Sequence, residues 1–280
     1  MSERGMRGHM DHQFSGKVAV VTGGTQGLGE AVARLLAERG AAGLVLSGRN
    51  AERGMAVAED LSRGGCPTHL VTGDLADIPA CRAVTAKADE KFGRLDVLVN
   101  AAAITDRGTL LDTSPDLFDA MFAVNVRAPF FLMQDAAKIM IRERIEGSMI
   151  NILSMSAHGG QPFIIAYCGS KGALATLTKN AAFSLLKNRI RVNGLNIGWM
   201  DTPGEHRIQA DYHGAAADWL KQAEAGQPFG RLLKPTEVAR AVAYLASEES
   251  GLMTGSIIDF DQQVLGTGER ASQPTHAMAL

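Results

Sequence analysis

Residues 17–40, KVAVVTGGTQGLGEAVARLLAERG, pass from a short apolar strand through a cluster of glycines into an amphipathic helix. Few folds accommodate that order. A buried β run that stops in a glycine-rich turn and restarts as a helix is the first step of a dinucleotide-binding βα unit. In it Gly23 permits the tight turn, Gly27 lets backbone approach a pyrophosphate, and Gly29 lets the helix lie close on the sheet. Thr25, Gln26 and Leu28 complete the cradle, and the helix N-terminus offers free N–H groups and partial positive charge to phosphates.

The same alternation continues along the chain. Apolar runs at 44–48, 68–74, 95–103, 148–154, 190–198 and 255–260 alternate with helical patterns over roughly 51–63, 81–93, 115–145 (two long patterns), 166–187 and 235–247. Seven strands alternating with helices predict an α/β fold: a doubly wound, seven-stranded parallel sheet with helices on both faces. Without linker, repeat or low-complexity block, the chain reads as a single domain over 15–265, with a flexible N-terminal leader (1–14) and a C-terminal tail (266–280). The segment 203–227 reads as polar and irregular.

A net charge of -2 gives no electrostatic reason to expect nucleic acid or a membrane surface as partner. No apolar run reaches the roughly 18 residues of a membrane span, and the leader has no apolar signal core. The cysteines, Cys66, Cys81 and Cys168, show no metal-ligand spacing, so no metal is expected and a reducing cytoplasm is the natural setting. Cys168, beside Tyr167, reads as a small packing residue.

Cofactor choice is expected at the end of the second strand, LVLSGRN (44–50). An NAD(H) site calls for a carboxylate there to hold the ribose hydroxyls. This chain has Arg49 followed by Asn50, and an arginine grips a 2′-phosphate that a carboxylate repels. NADP(H) is favoured, with NAD(H) the alternative.

These segments together resemble the short-chain dehydrogenase/reductase family, over about Lys17 to Asp261. The likeness rests on TGGTQGLG (22–29), GDLAD (73–77), NAAA (100–103), VNV (124–126), NILS (151–154), YCGSK (167–171) and IGWMDT (197–202), in that order. The 13-residue step from Ser154 to Tyr167 matches the family's serine-to-tyrosine distance. The resemblance implies a Rossmann-type oxidoreductase with Ser154, Tyr167, Lys171 and Asn125 as catalytic residues. Tyr167 would be the general acid/base. A phenol of pKa about 10 suits neutral pH poorly, and Lys171 one turn on would favour the phenolate. Lys171 would also hold the nicotinamide ribose, Ser154 the substrate oxygen, and Asn125 the water linking the lysine to solvent.

By the same resemblance Asp74 and Leu75 would meet the adenine, Asn100, Ala101 and Ala102 the ribose side, and Gly198 and Thr202 the nicotinamide. Two departures stand out. NAAA replaces the usual NNAG, and Ile197 replaces a proline, which removes a loop constraint and no ligand. Ser156 competes with Ser154, but its spacing to Tyr167 is wrong, so it is structural or substrate-facing. His158, Trp199 and His206 are further candidate substrate contacts, and the polar segment after Thr202 suits a sugar or polyol better than a steroid. The substrate is thus a small carbonyl or alcohol; the alternatives are an acyl-carrier-protein-type ketone and, in a different class, a nucleotide-binding sensor without turnover. The helices over 115–145 and 166–187 correspond to those that build the family's four-helix interface, so a homotetramer, or a homodimer, is expected.

Overall fold

The computed structural model describes residues 12–266. Its strands are β1 (Val18–Thr22), β2 (Gly43–Gly48), β3 (Thr68–Thr72), β4 (Val97–Asn100), β5 (Ser148–Ser154), β6 (Arg191–Ile197) and β7 (Ile257–Phe260). They form one seven-stranded sheet in the order β3-β2-β1-β4-β5-β6-β7. Every pairing between neighbours is parallel. The strand order reverses direction between β1 and β4, and a crevice opens beyond the carboxyl ends of strands at such a switch point. Register brings the functional ends together there: Thr22 pairs with Ser47 on one side and Asn100 on the other.

Helices cover both faces, because each central strand is apolar on both sides. On one face α1 (Gly27–Glu38), α2 (Ala51–Arg63) and α9 (Pro235–Ala246) bury Val32, Leu36, Val57, Leu61, Val238 and Val242. On the other, α3 (Ile78–Phe92), α5 (Ala128–Arg142) and α6 (Ile165–Leu185) bury Val84, Ala88, Leu132, Met140 and Ala182. Among the described residues no helix is long and apolar enough to cross a membrane.

Three expectations need correction. The two patterns read over 115–145 form an almost unbroken helical run: α4 (Pro115–Phe122) passes through a π turn (Ala123–Arg127) into α5. The extra residue of the π turn shifts the helical phase, leaving Asn125 wholly buried. The polar segment 203–227 is not irregular, for it holds α7 (Pro203–His213) and α8 (Trp219–Ala225). Both ends of this segment, here called the lid, are pinned together, since Met200 bridges Leu233, Asp201 N donates to Leu233 O at 2.9 Å and Leu233 N to Trp199 O at 3.0 Å. The leader read over 1–14 lies mostly outside the described residues, but Phe14 is 1% exposed and packs in the core. Apart from Gly266, the tail lies outside the described residues.

Candidate active site

A cleft of about 730 Å³ opens over the carboxyl ends of the strands, at the switch point. The glycine turn forms its floor. A Cβ on Gly29 would stand 2.3 Å from the Gly23 carbonyl oxygen, so only glycine lets α1 start this close to the turn. Gly27 takes a positive φ of 55°, with its missing side chain facing Thr202. No side chain caps the N-terminus of α1, and Gln26 Oε1 and Ser47 Oγ, both on the cleft wall, are buried without a hydrogen-bond partner. Buried orphans beside free helix N–H groups are what a bound dinucleotide would satisfy, so the residues present fit such a group.

Arg49 leaves the end of β2 exposed on the cleft wall. Asn50 lies on the same wall and caps α2, its Oδ1 accepting from Arg53 N at 2.8 Å. That cap starts the helix so that Arg53 also lines the cleft, and Arg207 of α7 lines it as well. The sequence reading missed Arg53 and took Arg207 only as one polar residue of the segment after Thr202, not as part of the cofactor cleft. The Arg49–Arg53 spacing of one turn was the available signal for the first; nothing local betrayed the second. Asp74 Oδ1 accepts from Ala76 N at 2.8 Å in a side-chain turn beside the buried Leu75, and both residues line the cleft.

Thr22 Oγ1 accepts from Ala101 N and Ala102 N, each at 3.1 Å, and so holds the NAAA segment over the sheet. Ala101 and Ala102 face the cleft. Asn100, 2% exposed, lies beneath it and donates to Asn151 Oδ1 at 2.8 Å, tying β4 to β5. Gly198 also lies outside the lining. Its missing side chain makes room for Asp261, whose Oδ1 would be 2.0 Å from a Cβ there. Thr202 does line the cleft and caps α7, its hydroxyl accepting from Glu205 N at 3.1 Å.

Tyr167 and Lys171 sit one turn apart on α6, on the same cleft as the glycine turn. Lys171 is 2% exposed; its Nζ donates to Ile152 O at 2.8 Å and lies 5.6 Å from the Tyr167 ring centre. Burial pulls the lysine pKa down to about 8, because an ammonium loses its solvation there. Burial likewise pushes the Tyr167 phenol up to about 12, against a hydrogen bond with Ser154 that pulls it down. Lys171 is not among the groups that lower the phenol here, and desolvation sets the direction of its shift. Ser154, at the end of β5, completes the group, its Oγ accepting from Ser156 N at 3.1 Å.

Asn125 reaches this group through backbone. Its Oδ1 accepts from Ile104 N and its Nδ2 donates to Ile104 O, both at 3.0 Å, and Nδ2 also donates to Ser170 Oγ at 3.1 Å. It braces the segment after NAAA against α6.

The candidate substrate contacts are not among the residues that line the cleft. Ser156 is buried and donates to Gln161 Oε1 at 2.7 Å, a structural tie. His158 Nε2 meets Asp259 Oδ1 at 2.9 Å and Asn196 Nδ2 at 3.0 Å, on the far side of β6. Trp199 Nε1 donates to Glu205 Oε1 at 2.8 Å, while His206 bonds Asp201 Oδ1 at 2.8 Å and stands edge-on to Trp219 at 4.8 Å. These last two are parts of the lid's own framework. Burial pushes the Cys168 thiol up, as it does Cys66 and Cys81, which disfavours thiolate chemistry at each.

The family model described as Enoyl-(Acyl carrier protein) reductase matches residues 23–262. Galactitol 2-dehydrogenase of Agrobacterium fabrum is 30% identical over 89% of this chain and 97% of its own length. The 3-oxoacyl-acyl-carrier-protein reductase of Thermotoga maritima is 32% identical over 89% of this chain and 98% of its own. Among solved structures, L-sorbose reductase of Gluconobacter frateurii, complexed with NADPH and L-sorbose, superposes with a TM-score of 0.84 at 29% identity, covering 92% of this chain and 100% of that one.

Proposed function

The chain belongs to the short-chain dehydrogenase/reductase family, oxidoreductases of alcohol and ketone groups, and within it we propose an NADP(H)-dependent enzyme acting on a small polyol or sugar carbonyl. One observation carries this reading: Tyr167 and Lys171 line the same cleft as the glycine turn and Arg49. Phosphate cradle and acid/base pair thus address one bound molecule and its neighbour.

Tyr167 is the proton donor in reduction and the acceptor in oxidation. Ser154, whose side chain acts to lower the Tyr167 phenol, is placed to share the substrate oxygen and steady its developing charge. Lys171 is fixed by the Ile152 carbonyl with N–H groups left for a ribose. Asn125 keeps the Ile104 segment against α6 and so positions the backbone beside the catalytic pair. A bound nicotinamide cofactor supplies the hydride and, when oxidised, a positive charge that offsets the raised phenol pKa.

Arg49 and Arg53 support the NADP(H) preference, as does the lack of a carboxylate at 47–50, SGRN. The polyol class is supported by the similarity to a galactitol dehydrogenase and a sorbose reductase. Phe130 and Phe183, on α5 and α6, are 42% and 77% exposed, which supports the homotetramer or homodimer we propose for this cytoplasmic enzyme.

The test is fluorescence titration with NADPH and NADH, then a polyol and carbonyl panel run with the tighter cofactor. NADPH is expected to bind about tenfold or more tightly, a preference erased by Arg49→Ala. Tighter NADH binding sinks the cofactor assignment. Turnover confined to a 3-oxoacyl thioester moves the substrate to the acyl-carrier class.

A further inference from the structure

Arg107 lies just outside the cleft lining, next to Thr105, and among the described residues it forms no ion pair with a carboxylate. Its backbone position is set by α6 itself: Gly108 N donates to Phe163 O at 2.9 Å, and Ile165 N donates to Gly108 O at 3.2 Å. Ile165 begins the helix that carries Tyr167 in its first turn. The side chain is half-buried and spread over the Phe163 ring, 5.6 Å from its centre. Its Nη1 donates to Thr105 O at 2.9 Å, and its Nε donates to His213 Nε2 at 3.2 Å. Thr105 is itself part of the cleft lining.

None of these described partners is a carboxylate. A guanidinium has five N–H donors in a rigid fork, and these contacts use one on Nη1 and the one on Nε. Meanwhile the neighbouring acids are already engaged. Asp106 accepts from the Tyr212 hydroxyl at 2.8 Å, and Glu205 accepts from the Trp199 indole at 2.8 Å and the Gln209 amide at 2.7 Å. Behind burial, Ser154 and the neighbouring Cys168, the Arg107 charge pulls the Tyr167 phenol down and Glu205 pushes it up, so both lie within electrostatic reach of the phenol. A half-buried cation with a free donor fork, held on the catalytic helix, is arranged to receive an anion.

We propose that Arg107 forms a carboxylate subsite beside Tyr167, and that the preferred substrate is a hydroxylated acid, an aldonate or its keto acid, rather than a neutral polyol. The subsite rests on the oxidoreductase reading and narrows its substrate class. The acid would lie with its carboxylate on the Arg107 fork and a secondary hydroxyl or ketone on Ser154 and Tyr167. Arg107 is then a specificity-determining residue, acting in binding and not in proton transfer.

The experiment pairs each hexonate with its hexitol, gluconate with glucitol and galactonate with galactitol, in the wild-type enzyme, Arg107→Gln and Arg107→Lys. The ratio of kcat/KM for acid over alditol is expected to exceed one in the wild type. In Arg107→Gln it falls about tenfold or more, chiefly through KM, and Arg107→Lys recovers part of it. The wild-type ratio should also shrink as ionic strength rises. Equal or better turnover of the alditols, with a ratio unmoved by Arg107→Gln, overturns the subsite and leaves the oxidoreductase intact. Should neither member of a pair turn over, the polyol reading fails on that panel. Calorimetric binding of gluconate to the wild type and to Arg107→Gln then decides the subsite alone, equal affinities overturning it.

Discussion

On the sheet side of the cleft, Gly29, Thr22, Lys171 and Asn125 are fixed by contacts with backbone: a carbonyl 2.3 Å from a missing Cβ, two amides, the Ile152 carbonyl and both polar atoms of Ile104. On the lid side, Glu205, His206, Trp199 and Trp219 are held mainly by one another's side chains. Helices α7 and α8 contribute no buried residue. One wall is built from the main chain, the other from exchangeable surface groups. The Tyr167–Lys171 pair sits on the first, and side chains that can be exchanged without moving backbone sit on the second.

Four tests press on that contrast. The largest effect is expected from Tyr167→Phe, which keeps the ring and removes the proton: kcat should fall by about 10²–10⁴, with NADPH affinity nearly unchanged. A variant keeping a tenth of wild-type kcat would strip the sheet wall of its assigned chemistry.

The same small substitution on both walls comes next. Gly29→Ala drives a Cβ into the Gly23 carbonyl, where backbone meets backbone, so a loss of about 1–3 kcal/mol in urea unfolding is expected, with weakened NADPH binding. Gly204→Ala, whose Cβ would meet only Thr202 Oγ1 at 3.8 Å in the first turn of α7, should be neutral or stabilising by about 0.5 kcal/mol. Equal costs at the two sites would erase the distinction.

Charge gives a third test. Lys171 has a folded pKa near 8, below the ordinary lysine value, so its charged form is penalised by folding. Between that pH and the unfolded lysine pKa of about 10.4, the unfolded chain binds more protons and stability rises with pH. The Tyr167 phenol, raised to about 12, acts oppositely above pH of about 10, where the folded state holds its proton longer. In calorimetric melts without cofactor, the wild type should therefore gain on Lys171→Met from pH 8 to 10. A constant gap between the two would deny the buried charge. The smallest effect is expected from Trp219→Ala in the lid: about 0.5–1.5 kcal/mol, a few-fold rise in substrate KM, and no change in NADPH affinity.

The backbone wall was also the legible one. The strand at 18–22 and the glycine cradle were readable because local periodicity and spacing encode them, whereas the Tyr167–Lys171 pair took its meaning from the resemblance to the family. Helices α7 and α8 were not, since a helix that buries nothing carries no amphipathic period. Nor was the π turn, a phase slip inside a continuous helical pattern that leaves composition unchanged. His158 looked like a substrate contact only because its partner Asp259 lies 101 residues away, and Arg107 stayed hidden because its setting depends on pairing Gly108 with the start of α6. Resemblance to the family supplied the roles of Ser154 and Asn125, which residue type alone leaves open.

The bridge between Met200 and Leu233 gives the lid coincident entry and exit points. A segment so closed can be cut out and replaced without re-routing the chain on either side. Transplanting the loop of a relative between those two positions should therefore leave the glycine cradle and the Tyr167–Lys171 pair in place, and gene recombination at these borders offers evolution, or a protein engineer, a new lid on an unaltered catalytic chassis.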